Sequence, residues 1–367
     1  MVALALIVPL LLGLQTAVAP TPGNEHTNPI AQVALGEKSA VDIPSMDDPA
    51  LVLPVVCSEN EAVLFRTAAF GSISDVAAIA RDGSQKASYK LSRANEITQP
   101  RAITFFPRGK YLYELVRGFR GGGERRTLRR PDGTTENQVT YERIAYYIVK
   151  YEENGDYRGS VELDIPFRPL QFGVFENGDF LIVGTTDDRQ SARVALVQSS
   201  GQFIKLLELE GDAQLKTSDE SDSPGTLPEK GKRLEEGFMG ALHRSAIISA
   251  GPKLLIVRKG TNIPVFAVNP GGQVNAIKID TPKNYRIEDI KVTPTYWVAI
   301  FTHRISDSGG VEFAMYAIDP ESGKLLHTYA YSRFPGFGFA CANDQEFTFL
   351  VNINHKLKLL TLQPSQR

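Results

Sequence analysis

The side chains of this chain best suited to chemistry are arginines, and after them histidines. Arg101, Arg117, Arg168, Arg258, Arg286, Arg304 and Arg333 recur along the sequence. A denser group, Arg120, Arg125, Arg126, Arg129 and Arg130, falls in the stretch GFRGGGERRTLRR at 118–130. A guanidinium is a planar fork of donors that matches carboxylate, phosphate or sulfate. The chemistry these residues suggest is therefore recognition of an anion. The plainer alternative is that they are solvated, or paired with Asp187, Asp188, Asp289 and the acidic stretch 208–222, because surface ion pairs are common and of small consequence. The histidines, His26, His243, His303, His327 and His355, show no local metal-pair spacing. His303 adjoins Arg304 and joins the anion-binding candidates. A second possibility combines His243, Glu288, Asp289 and His303 around one divalent metal ion, which would polarise a carbonyl or activate water. There is no Gly-x-Ser-x-Gly elbow, His-Glu-x-x-His, P-loop, Gly-rich dinucleotide turn or Ca²⁺ loop.

Composition narrows the partners. The 367 residues carry a formal net charge of −2, so bulk electrostatics point neither to nucleic acid nor to an acidic membrane. Hydrophobic residues at 42% and charged residues at 22% describe an ordinary globular chain, not a disordered one. Residues 1–19, MVALALIVPLLLGLQTAVA, are apolar and uncharged, and Ala17-Val18-Ala19 fits a small-x-small cleavage site. A signal peptide is expected there, although no Lys or Arg precedes the apolar run and Pro20 follows the cut. A retained anchor is the alternative, and it would be the only membrane contact. Residues 20–30 read as a polar, Pro-rich linker, and 31–367 as one folded domain. The expected location is extracytoplasmic, periplasmic or secreted.

The elements that must position the arginines are short strands. Residues 170–209 read as four in a row, with turns at Glu176-Asn177-Gly178 and Ser199-Ser200-Gly201 and a polar loop at 186–190. A four-stranded unit of about forty residues is the usual size of one propeller blade. The unit recurs. Gly83, Gly155, Gly201, Gly272 and Gly323 hold the same third-to-fourth-strand turn in five repeats, where a tight hairpin needs positive φ. Two insertions, 118–141 and 210–241, account for the uneven spacing. A sixth repeat, 337–362, supplies only three strands, and 32–43 is free to supply the fourth.

Over roughly 31–362 this pattern resembles the six-bladed β-propellers of secreted and envelope bacterial proteins. The resemblance implies an all-β fold with its last blade completed by an N-terminal strand. It also implies that both insertions and the 303–310 loop emerge on one face, together with the arginines. Trp297, the single tryptophan, argues against the WD type of repeat. Cys57 and Cys341 hold equivalent slots in the first and sixth repeats, in VVCSENEAVLF and FACANDQEFTF. They can form a disulfide only if the ring closes; otherwise they are two small buried hydrophobes. The functional expectation is an exported binding or scaffolding module without a cofactor. Its ligand would be an anionic small molecule, an acidic glycan or a protein partner, held at the Arg-rich face, with no nucleic acid. The alternative is a metal-dependent lactonase-like or lyase-like enzyme.

Overall fold

The computed structural model describes residues 30–47, 50–68, 75–120, 124–130, 132, 134–140, 143–187, 191–209, 245–258, 264–305, 310–331, 338–354 and 356–365. The expectations for the signal segment and for the 210–241 insertion lie outside these residues.

Strand β1 (Ala31–Asp47) opens the described chain. The first sheet follows: β2 (Ala50–Cys57), β3 (Val63–Ala68), β4 (Val76–Ile79) and β5 (Gln85–Tyr89). The second contains β6 (Thr98–Arg108), β7 (Tyr111–Arg120), β10 (Arg143–Glu152) and β11 (Tyr157–Glu162). Between β7 and β10 the first insertion is a hairpin rather than a loop, β8 (Glu124–Arg129) paired with β9 (Thr135–Thr140). The third sheet is β12 (Arg168–Val174), β13 (Phe180–Thr185), β14 (Ala192–Val197) and β15 (Phe203–Leu207). The fourth is β16 (Ala246–Ala250), β17 (Lys253–Val257), β18 (Val265–Val268) and β19 (Val274–Ile277). The remaining strands are β20 (Arg286–Val292), β21 (Trp297–Arg304), β22 (Val311–Ile318), β23 (Leu325–Ala330), β24 (Phe339–Ala342), β25 (Phe347–Ile353) and β26 (Lys356–Pro364). With β1 they form one eight-stranded sheet in the order β20-β21-β22-β23-β1-β26-β25-β24. The fold is thus all-β and propeller-like, with four four-stranded sheets and an eight-stranded one.

Burial explains the sequence texture. Strands β4, β13 and β18 are buried at every position because each sheet is covered on both faces. They therefore read as continuous apolar runs instead of alternating ones. Aromatic rings interlock across the seams: Phe106 lies 6.1 Å from Phe172, and Tyr113 lies 6.5 Å from Phe180. Each such buried side chain stabilises the fold by about 2–3 kcal/mol. The first strands touch in succession, β2 with β6, β6 with β12, β12 with β16, β16 with β20, β20 with β24, and β24 with β2. That succession is a closed ring.

The turn glycines have a second duty. Gly323 has φ +72°, and a Cβ there would meet the Lys278 carbonyl oxygen at 2.0 Å, just past β19 of the preceding sheet. Gly83 has φ +82°, and its Cβ would meet the Asp42 carbonyl oxygen of β1 at 2.4 Å. Glycine is required at both positions for its backbone freedom and for its missing side chain. β1 itself changes partner midway. Ala31–Ala34 pair parallel with His327–Ala330 of β23, and Leu35–Asp47 pair antiparallel with β26. Of residues 32–43, those from Leu35 on thus pair with β26 of the last repeat, while 32–34 pair with β23 of the repeat before it. Cys57 and Cys341 are bonded, with a Cα separation of 5.1 Å, and they tie β2 to β24.

Candidate functional site

A repeated irregularity places the arginines. Strands β6, β12 and β20 each shift register at an extra residue, Ile103, Leu170 and Glu288, and β6 shifts a second time between Thr98 and Arg101. In each, an arginine stands two residues earlier: Arg101, Arg168 and Arg286. The sequence trace of this slot is RAIT, RPLQ and RIED. A β-bulge kinks the strand and re-aims its neighbours. It does so here at the innermost strands of the ring.

Two of these arginines meet. Arg101 pairs across strands with Arg117 of β7, and Arg117 in turn lies opposite Tyr146 of β10. From the next sheet, Arg168 of β12 joins them. Together they line a cavity of about 350 Å³ with Thr104, Gln171 and the apolar residues Pro54, Ile103, Pro169 and Leu170. Like charges directly opposite each other on neighbouring strands are destabilising. Yet Arg101 and Arg117 are opposed, and no carboxylate among the described residues forms an ion pair with Arg101, Arg117 or Arg168. Arg117 also lies over the Phe119 ring at 6.0 Å. Burial pushes the Tyr146 hydroxyl above its ordinary pKa, and Arg168 and Arg117 oppose that shift only in part. The phenol therefore stays protonated at neutral pH, as a hydrogen-bond donor. Such a cavity presents donors and positive charge, and it is suited to an anion.

The other expected residues do not join it. Arg258 is 2% exposed, with its guanidinium 5.4 Å from the Phe266 ring; it is a core residue. Arg286 is exposed and donates from Nε to Thr302 Oγ1 at 3.2 Å. His303 places Nδ1 2.7 Å from the Asn284 carbonyl oxygen and its ring 5.4 Å from Tyr285. Arg304 pairs through its backbone with Val311 at the end of β21. Arg333 and His243 lie outside the described residues. Of the proposed metal set, Asp289 is engaged by Lys291 at 3.1 Å, and Glu288 is the bulged residue of β20. Among the described residues no three His, Cys, Asp or Glu side chains gather as a metal site. Lys291 also donates to the Val55 carbonyl oxygen of β2, linking two first strands that are not neighbours in the ring.

Arg66 lies in β3, the second strand of its sheet, as Arg117 lies in β7, yet it has a different fate. It is 5% exposed and contacts Glu114, 1% exposed, at 2.5 Å between the first and second sheets. Tyr151 donates to the other Glu114 oxygen at 3.1 Å. Burial pushes the Glu114 carboxyl up, and Arg66 and Tyr151 only partly offset this. Sequence reasoning missed Tyr146, Thr104 and Gln171. Tyr146 sits inside an ordinary apolar-aromatic strand, and only the register with Arg117 gives it a role.

No family model matches this chain, and no curated protein matches it. Solved structures do. The chain is similar to a streptogramin B lyase at 12% identity, over 89% of this chain and 98% of that one, with TM-score 0.41. It is similar to a mutant sialidase of Trypanosoma rangeli displaying trans-sialidase activity, at 14% identity, 91% and 59% coverage, and TM-score 0.38. It is also similar to an exo-β-1,3-galactanase of Phanerochaete chrysosporium at 8% identity, 79% and 66% coverage, and TM-score 0.37. The chain spans less than two thirds of the length of the sialidase and galactanase chains. The fold assignment rests on the strand pairing of this chain itself.

Proposed function

We propose that this chain is an exported six-bladed β-propeller binding module that holds an anionic ligand between Arg101, Arg117 and Arg168. The six-blade reading divides the eight-stranded sheet at β1. The half β20–β23 is one blade, and β24–β26 with the antiparallel part of β1 is another. Gly83 supports the division. It packs on β1 as Gly155 packs on Ser88 of β5 and Gly323 on Lys278, so β1 stands where the outer strand of a preceding blade stands. Export is supported by the Cys57–Cys341 bond and by the apolar leader ending in Ala17-Val18-Ala19.

The observation that carries the binding role is the convergence of three guanidiniums with no ion-paired carboxylate among the described residues. Holding these charges together costs stability that a bound anion would recover. A calorimetric titration of the purified protein with phosphate, sulfate and carboxylates tests the proposal. Saturable binding that weakens with added salt is expected. Arg117→Ala should weaken it about tenfold or more, the value of one charge-assisted hydrogen bond. Equal anion binding by the wild type and by the Arg101→Ala/Arg117→Ala/Arg168→Ala variant would reject it.

A further inference from the structure

We infer that the ligand is an organic carboxylate on a hydroxylated ring, the chemistry of a uronate residue, and not a bare inorganic oxyanion. This rests on the anion-binding reading above and asks what body the anion carries. A cavity of about 350 Å³ is at the small end of sites for organic ligands. An inorganic phosphate needs only the guanidinium cluster. It would leave the apolar part of the lining, chiefly Pro54 and Ile103, without contact. A lining that is part apolar and part charged suits a molecule that has both characters. A pyranose ring has that character: its C–H face lies on apolar or aromatic surface while its edge is polar.

The neutral polar groups of the lining refine the class. Thr104 and Gln171 offer hydroxyl and amide groups that both donate and accept. The Tyr146 phenol is a donor at neutral pH. A purely apolar carboxylate would leave these groups without partners on binding, and such groups are costly to desolvate. A ring that carries hydroxyls satisfies them. No Asp or Glu is among the described lining residues; the carboxylate acting on Tyr146 is that of Asp187, which Arg117 and Arg168 outnumber.

Calorimetry on the full-length protein can separate the classes with glucuronate, glucose, inorganic phosphate, benzoate and an oligogalacturonate. Glucuronate should bind at least tenfold more tightly than phosphate or benzoate, and glucose should show no binding at the same concentrations. Tyr146→Phe and Gln171→Ala should weaken glucuronate several-fold and leave phosphate unchanged, while Arg117→Ala weakens both. Thermal melts of the variants check that each is folded, and Tyr146→Phe keeps the ring in place. Tighter binding of the oligomer than of the monomer identifies a residue within a glycan chain, and equal binding a free sugar acid; either result upholds the inference. Phosphate or benzoate binding as well as glucuronate would overturn it while leaving the anion site intact. Failure of every anion to bind would overturn both readings.

Discussion

Arg66 and Arg117 occur near the ends of the second strands of adjacent sheets, and the sequence around them looks alike. Their surroundings differ by one carboxylate. Glu114 lies three residues before Arg117 on β7, so the two side chains leave opposite faces of the strand. Glu114 faces Arg66 and neutralises it, whereas Arg117 faces the cavity with Arg101 opposite. Removing one member of a buried ion pair leaves the other charge stranded. Glu114→Ala should therefore lower the unfolding free energy by about 3–5 kcal/mol. The double replacement Arg66→Met/Glu114→Leu should recover most of the loss, since neither member of the buried pair is then left without its partner. Urea denaturation of the three proteins measures this. A loss below about 1 kcal/mol for the single variant would mean that water reaches the pair.

At the scale of the element, turn glycines and bulges set how sheets fit together. Gly323 and Gly109 both have positive φ, at +72° and +56°. A Cβ at Gly109 meets nothing within 4 Å, while one at Gly323 strikes the Lys278 carbonyl. Gly109→Ala should cost about 1 kcal/mol, from backbone conformation alone. Gly323→Ala should cost clearly more, about 2–3 kcal/mol or above, because backbone must move as well. Similar melting temperatures for the two variants would show that the turn does not rest on the preceding sheet. The bulges at Ile103 and Leu170 act in the same way on the site. Each turns the chain beside an arginine, and the two kinked strands are neighbours in the ring. The equivalent arginine of β20, Arg286, binds Thr302 instead.

At the scale of the molecule, the ring is closed twice. β1 joins the two halves of the eight-stranded sheet by backbone hydrogen bonds, and Cys57–Cys341 joins β2 to β24 covalently. The bond spans 284 residues, and constraint of so long an unfolded chain favours the folded state. Replacing both cysteines with alanine should cost about 2–4 kcal/mol and lower the denaturation midpoint without abolishing folding, because β1 still closes the ring. An unchanged midpoint, or two free thiols by mass spectrometry of the native protein, would contradict this. The apolar outer strand β15, with Phe203, Ile204 and Leu206 exposed, is the largest departure from the otherwise polar outer edges.

Much of this was legible in the residues. The turn glycines, the hairpin units and the pairing of most of 32–43 with the last repeat follow from local rules, since a tight turn needs glycine and a two-sided buried strand needs an apolar run. The cysteine pair was legible as a candidate because repeats place equal slots in equal positions. Which arginines meet was not legible. Arg101, Arg117 and Arg168 share a cavity, Arg258 is buried against Phe266, and Arg66 is neutralised by Glu114. Arg66, Arg117 and Arg258 all stand at or near the ends of second strands, so sequence context does not tell them apart. Their difference depends on which face of a strand each leaves and on what the neighbouring sheet presents there. Strand sequence determines the alternation of faces, but cross-strand register, bulges and the packing of one sheet on the next decide what each face meets.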